Sequence, residues 1–117
     1  MVKFGTFFSS VRFHAMQNEP ILSSLSGNPA LATVLSQFVH SMPKRVQSIR
    51  ICIEQKDSKQ LCEYIHQLKG VCGSYGFHEL TPMATKLDDQ LASGIPMENL
   101  LSDLNDFLDS CLRMRSP

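Results

Sequence analysis

Apolar residues recur at helical spacing over most of the chain. Leu31, Val34, Leu35, Phe38, Met42, Val46, Ile49 and Ile53 form one stripe, and its phase survives the passage across Pro43. That continuity predicts one long helix kinked at Pro43, which lies off the stripe, rather than two helices. Asp57 and Ser58 offer an N-cap for a second helix running to about Tyr75. At about 100° per residue, its Leu61, Ile65, Leu68, Cys72 and Tyr75 fall within roughly 40° of one line, and Gly76 supplies the stop. A third helix buries Leu80, Met83, Ala84, Leu87 and Leu91, with Pro82 in its first turn and Ser93 and Gly94 at its end. Pro96 opens a fourth, with Leu100, Leu101, Leu104, Leu108, Cys111 and Leu112 as its apolar side. Phe4, Phe7, Phe8 and Val11 have the spacing of a short amphipathic helix lying across the end of the bundle, with Gly5 its weak point. Between them, Asn18 to Asn28, with Pro20, Gly27 and several serines, forms a connector with at most a turn or two of helix.

No segment shows sustained strand alternation. The pattern predicts an all-α protein, an antiparallel four-helix bundle (up-down-up-down) with an additional short N-terminal helix. At 117 residues the chain is expected to be a single domain, residues 1–28 forming the N-terminal helix and connector and residues 29–115 the bundle.

The formal net charge is zero, so no overall field favours nucleic acid or an anionic membrane as partner. The charges are unevenly spread: six basic and three acidic residues from Ser41 to Gly70, then seven acidic and one basic from Val71 to Ser110. Solvated helix faces are the plain account, a charge-steered docking surface the alternative. No run approaches the roughly eighteen apolar residues of a membrane span. Ser9, Ser10, Arg12 and His14 interrupt the Phe-rich start, so a cleaved signal peptide is not expected there, and its polar face has too few Lys and Arg for a membrane-surface helix. Cys52, Cys62, Cys72 and Cys111 do not form a close-set disulfide framework, which favours reduced thiols in a cytoplasm.

One stretch resists a purely structural account. "YIHQLKGVCGSYGF", Tyr64 to Phe77, places Gly70, Gly73 and Gly76 at three-residue spacing just after His66. A glycine inside a helix costs about 1 kcal/mol relative to alanine. On the angular map Cys62, His66, Lys69, Gly70 and Gly73 gather on a face about 130° from the apolar line, so the histidine looks outward over bare backbone. Four accounts fit such a residue. It can be a surface histidine on a structural bundle. With Cys62 it can supply two metal ligands, although Lys69 on the same face would repel a divalent ion. It can assist Cys62 as a nucleophile, although no third orienting group or oxyanion donor is evident. Or it can itself be the nucleophile toward a phosphoryl group, with Lys69 neutralising charge and the glycines admitting another protein's active site. There is no P-loop, GxGxxG or kinase signature, so binding of ATP with self-phosphorylation is not expected.

"HQLKG" followed by "SYGF", with Gly76 ten residues after His66, resembles the histidine-containing phosphotransfer (HPt) domains of bacterial phosphorelays. "FVHSMPKRV", a helical spacer and "FHELTPMATKLDDQL" follow that family's order, and the resemblance runs from about Pro20 to Gly94. It implies a four-helix bundle whose exposed histidine accepts a phosphoryl group from a receiver-domain aspartate and donates it to another receiver. By position, His66 is the phosphorylated residue, Lys69 its electrostatic partner and Gly70 the residue that permits close approach, with Cys62, Gln67 and Gly73 on the docking face. Such domains commonly carry Glu or Gln twenty-two residues after the histidine; Asp88 stands there, one methylene shorter, and both a direct and a water-mediated contact with Nδ1 of His66 are open. Ile65 departs from the small residue often found before the histidine. The implied partners are response-regulator receiver domains and a hybrid sensor histidine kinase, with the aspartate and Mg²⁺ brought by the receiver and no cofactor on this chain. The expectation is a cytoplasmic monomer; the rival is a catalytically silent module of the same fold that docks without phosphoryl turnover.

Overall fold

Helix ends dictate much of the chain's course. The computed structural model describes residues 19–116, and the expected Phe-rich helix around Phe4 to Val11 lies outside them. Four α-helices follow in order: α1 Ala32–Glu54, α2 Ser58–Ser74, α3 Thr81–Ala92 and α4 Leu101–Cys111. A 3-10 turn at Pro29–Leu31 leads into α1 and another at Met97–Leu100 into α4. Two short strands, β1 Ile21–Leu22 and β2 Met114–Arg115, pair in parallel. Helix α2 packs against α1 and α3, and α4 against α3 and α1, so the helices close a ring around one core. The described chain is all-α apart from the two-residue strands.

Helix α1 runs unbroken through Pro43, as the hydrophobic phase requires. Pro43 is on the exposed side and brings no N–H for the carbonyl of Val39. Leu35, Phe38, Met42, Val46 and Ile49 are buried, joined by Cys52, whereas Val34, expected on the stripe, is 39% exposed. In α2, Leu61, Ile65, Leu68 and Cys72 are buried; Tyr75, at the edge, is half-buried and stacks on Phe38 with ring centroids 4.7 Å apart. In α3, Ala84, Leu87 and Leu91 are buried, and Met83 is only partly so.

The fourth helix departs most from the expected pattern. Pro96 precedes a 3-10 turn instead of opening the α-helix, and Met97 and Leu100 bury there. The change of helix type resets the phase. Leu104, Phe107, Leu108 and Cys111 then face the core, while Leu101 and Leu112 are turned out at 39% and 40% exposure. Phe107, fully buried, had no place in the predicted stripe.

The described part of the connector, residues 19–28, holds no helix, within the turn or two expected of it, but it is not loose. It is strapped down at two points: Ile21 N–H donates to the Arg113 carbonyl at 2.9 Å, and Ser24 N–H to the Gly76 carbonyl at 2.9 Å. Ile21 and Met114, opposite one another in the strand pair, are 3% and 1% exposed. Gly76 makes this possible. Its φ is +78°, and a Cβ there would lie 2.6 Å from Ser24 Oγ and 2.8 Å from Ser23 Oγ, so the position serves both as helix stop and as seat for the strap.

Three helices end alike. After α2, Phe77 N–H bonds the Cys72 carbonyl and Gly76 N–H that of Gly73; after α3, Ile95 bonds Gln90 and Gly94 bonds Leu91; after α1, Asp57 bonds Cys52 and Lys56 bonds Ile53. Each is a Schellman closure, which needs a left-handed residue. Glycine fills that place twice, but Lys56 holds φ +56°. A left-handed conformation costs an L-residue roughly 1–2 kcal/mol, partly offset by glycine's greater unfolded entropy. Lys56→Gly should therefore raise the unfolding free energy by about 0.5–1 kcal/mol, read as a higher urea midpoint at unchanged slope. A lower midpoint would mean that the Lys56 side chain contributes more than its backbone costs.

Candidate functional site

The closure after α1 delivers the chain directly into α2. Asp57 ends the one motif and begins the next, its Oδ1 accepting from the backbone N–H of Gln60 at 3.2 Å, as an N-cap should. From there the buried stripe fixes the rotation of α2, and His66, Gln67, Gly70 and Gly73 come to the exposed side, with Cys62 and Lys69 half-buried beside them. The His66 side chain is 73% exposed.

The two glycines have no internal reason to be bare. A Cβ built at Gly70 or Gly73 meets nothing within 4 Å. Close packing of a neighbouring helix therefore does not explain them, and no contact at these two positions offsets their cost of about 1 kcal/mol each.

Helix α3 places Asp88 next to the buried Leu87 and against α2. Its Oδ2 lies 3.1 Å from His66 Nδ1 and 3.2 Å from Lys69 Nζ. The contact with the imidazole is thus direct, despite the shorter side chain. Lys69, the expected electrostatic partner of His66, shares the Asp88 oxygen with the histidine.

Asp88 is only 15% exposed in its side chain. Burial pushes its carboxyl up, but hydrogen bonds from His66 and Lys69, together with their charge, outweigh burial and hold it below the usual carboxylate range. At neutral pH it is therefore a carboxylate and can only accept. Nδ1 of His66 must carry the proton, which leaves the lone pair of the neutral ring on Nε2. A neutral imidazole so fixed is a nucleophile at one defined atom.

The alternatives fare less well on this geometry. Among the described residues no group of three or more His, Cys, Asp and Glu side chains could hold a metal ion. Among the described residues His66 hydrogen-bonds Asp88 and makes no hydrogen bond to Cys62, so no Cys–His pair is assembled. The other described thiols belong to the core: burial pushes Cys72 up to about 11 and raises Cys111 further, which makes both poor nucleophiles.

Sequence reasoning missed one feature beside the site, on the α1 flank of α2. Between α1 and α2 runs a groove of about 310 Å³, floored by Ile49 and Leu68 and rimmed by Lys44, Arg45, Tyr64 and Gln67. The excess of basic residues from Ser41 to Gly70 was its only trace in the sequence. Arg45 is held there by Ser41 Oγ at 2.9 Å and sits 5.7 Å above the centre of the Phe38 ring.

The Asp88 contacts predict a pH dependence. A carboxyl that titrates lower in the folded protein than its unfolded value of about 3.9 contributes stability that is complete above that value and lost as pH falls through the folded value. Asp88→Asn should therefore be less stable than the parent at about pH 6, with the difference shrinking as the pH falls below about 4. Urea unfolding across that range measures it; parallel curves would show that this carboxylate carries no such linkage.

No helix among the described residues is long and apolar enough to cross a membrane. Comparison with known proteins finds no similar curated protein and no similar solved structure. Residues 33–114 do match a family model, that of the Hpt domain, and this span contains α2, α3 and the His66–Asp88–Lys69 cluster. The chain belongs to the Hpt domain family, the histidine phosphotransfer domains of phosphorelays.

Proposed function

We propose that the protein is a working phosphoryl carrier, with His66 accepting a phosphoryl group from the aspartyl phosphate of one receiver domain and giving it to another. The observation that carries this reading is a largely exposed imidazole, held at Nδ1 by a carboxylate and flanked by two glycines that open onto empty space. In the forward step the Nε2 lone pair attacks phosphorus. The bond from phosphorus to the receiver's carboxylate oxygen breaks with its electron pair left on that oxygen, and the positive charge on the ring is shared with Asp88 through Nδ1–H. Lys69, one turn from His66 and exchanging Asp88 for a phosphoryl oxygen, supplies the cation. The receiver brings the aspartate and its Mg²⁺, and this chain contributes no cofactor.

Cys62, Gln67, Gly70 and Gly73 form the docking face in this reading. Receivers and a hybrid sensor histidine kinase are the partners, and the protein works as a monomer in a reducing cytoplasm, where its four cysteines stay as free thiols. The helices then form an antiparallel up-down-up-down bundle, which suits the short connections between them. A silent docking module would need neither the fixed tautomer nor the cation beside it.

Incubation with a phosphorylated receiver should label His66 alone, with the acid-labile, base-stable behaviour of phosphohistidine. His66→Gln should fold normally and take no label; label persisting in that variant, or found on His14, His40 or His78, would refute the assignment.

Gly70→Leu tests the docking face. Leucine is the better helix former, and the space beside the position is open, so the melting temperature should be unchanged or slightly higher. Its side chain would obstruct a receiver above the imidazole, and transfer should slow on the order of a hundredfold. Gly73→Leu, one turn further from His66, should act in the same direction with a smaller effect. Normal transfer by a folded Gly70→Leu protein would refute the role given to the bare backbone.

A further inference from the structure

Asp88 differs chemically from any neutral hydrogen-bonding partner of the ring, because it contributes a full negative charge as well as an acceptor. That difference bears on the phosphorylated protein more than on the free one. When Nε2 carries a phosphoryl group, the ring can either keep the proton on Nδ1 as a cation or lose it. With the proton kept, breaking the Nε2–P bond returns the electron pair to Nε2 and expels neutral imidazole. With the proton lost, the same cleavage must expel an imidazolate anion, a far poorer leaving group. The state of Nδ1 therefore decides how readily the phosphoryl group moves on.

Three features of the site favour the proton. Oδ2 of Asp88 already receives Nδ1–H at 3.1 Å. The carboxylate is 15% exposed, so solvent screens its charge incompletely. Lys69, which shares that oxygen in the free protein, stands one turn from His66 and is drawn to the dianionic phosphoryl group once it is present, leaving the Asp88 charge to the ring alone. Of the other charges, Glu63 stands exposed one turn before His66 on α2 and Asp89 is exposed next to Asp88 on α3, and neither is hydrogen-bonded to the ring. On α1, Lys44 and Arg45 rim the groove beside Tyr64 and Gln67, and on α3, Lys86 lines a separate hollow with Asp103 and Asp106.

We infer that Asp88 is a positioning residue that keeps phosphorylated His66 protonated on Nδ1, and so sets this protein as a quick donor of the phosphoryl group rather than a store of it. The inference rests on the phosphocarrier reading above and adds which way the carrier is biased. The ring proton is neither gained from nor lost to solvent during transfer: it stays on Nδ1 throughout, and only the phosphoryl group and the electron pair of the P–N bond change places.

The test does not depend on finding a partner. Potassium phosphoramidate phosphorylates accessible histidines, and comparison with His66→Gln assigns the phospho-His66 signal in the full-length protein. Its phosphorus resonance, followed against pH, reports the protonation of Nδ1. Asp88→Asn keeps an acceptor of the same shape and removes the charge; it should lower the titration midpoint by about one unit or more. Phospho-His66 should correspondingly survive about tenfold longer at neutral pH in that variant. Asp88→Glu restores the charge and should recover at least part of both effects, which a merely structural role for Asp88 would not produce. Equal midpoints and lifetimes in the parent and Asp88→Asn would overturn the inference, as would phosphorylation of the parent on Nδ1. A protein that phosphoramidate labels but no receiver labels would instead refute the carrier reading, with the Asp88 effect still measured.

Discussion

One helix has to be finished on one side and left bare on the other, and the rest of the molecule follows from that constraint. On its inner side α2 buries Leu61, Ile65, Leu68 and Cys72 almost completely. Full burial of an aliphatic side chain is worth about 1.5–3 kcal/mol, so Leu61, Ile65 and Leu68 outweigh two helical glycines at about 1 kcal/mol each. The inner face thus makes the outer face affordable. It also fixes the rotation of the helix, and with it the direction in which His66 points, without any contact between the imidazole and the core.

Fixing the ring within that direction is the work of a different element. Asp88 reaches His66 because its neighbour Leu87, with Ala84 and Leu91, anchors α3 in the same core. One carboxylate oxygen then settles the tautomer of His66 and the resting place of Lys69. The pair of helices is joined by a turn that cannot drift, since Gly76 closes α2 and its carbonyl receives the strap from Ser24. The strap is itself tied to the end of the chain through β1 and β2.

What the sequence made legible was whatever depends on period and local chemistry. The unbroken phase from Leu31 to Ile53 was enough to carry α1 through Pro43, and Asp57, Gly76 and Gly94 marked helix ends by their own conformational preferences. The outward face of α2 followed from the same arithmetic. What depends on distance between elements was out of reach. Two-residue strands have no period, so the pairing of Ile21 with Met114 left no trace. The 3-10 turn before α4 shifted the phase, which turned Leu101 and Leu112 outward and brought Phe107 in. Spacing put Lys69 beside His66, but its partner lies nineteen residues further on in another helix. Whether an aspartate could span the gap to the imidazole was a matter of how closely α2 and α3 approach.

The uneven charge distribution runs against what stability alone would select. Arg50 and Asp109 form an ion pair at 3.2 Å between α1 and α4, but with side chains 42% and 60% exposed it contributes little. On α4, burial chiefly, and then repulsion from the nearby Asp103 and Asp109, pushes the Asp106 carboxyl up. A chain optimised only to fold would intersperse these charges. Instead the basic side chains Lys44 and Arg45 rim the groove on the histidine helix, while α4 gathers acidic ones. A polarity of that sense draws a negatively charged protein face toward α1 and α2 and turns it away from α4, so it acts on the rate and orientation of encounter rather than on the fold.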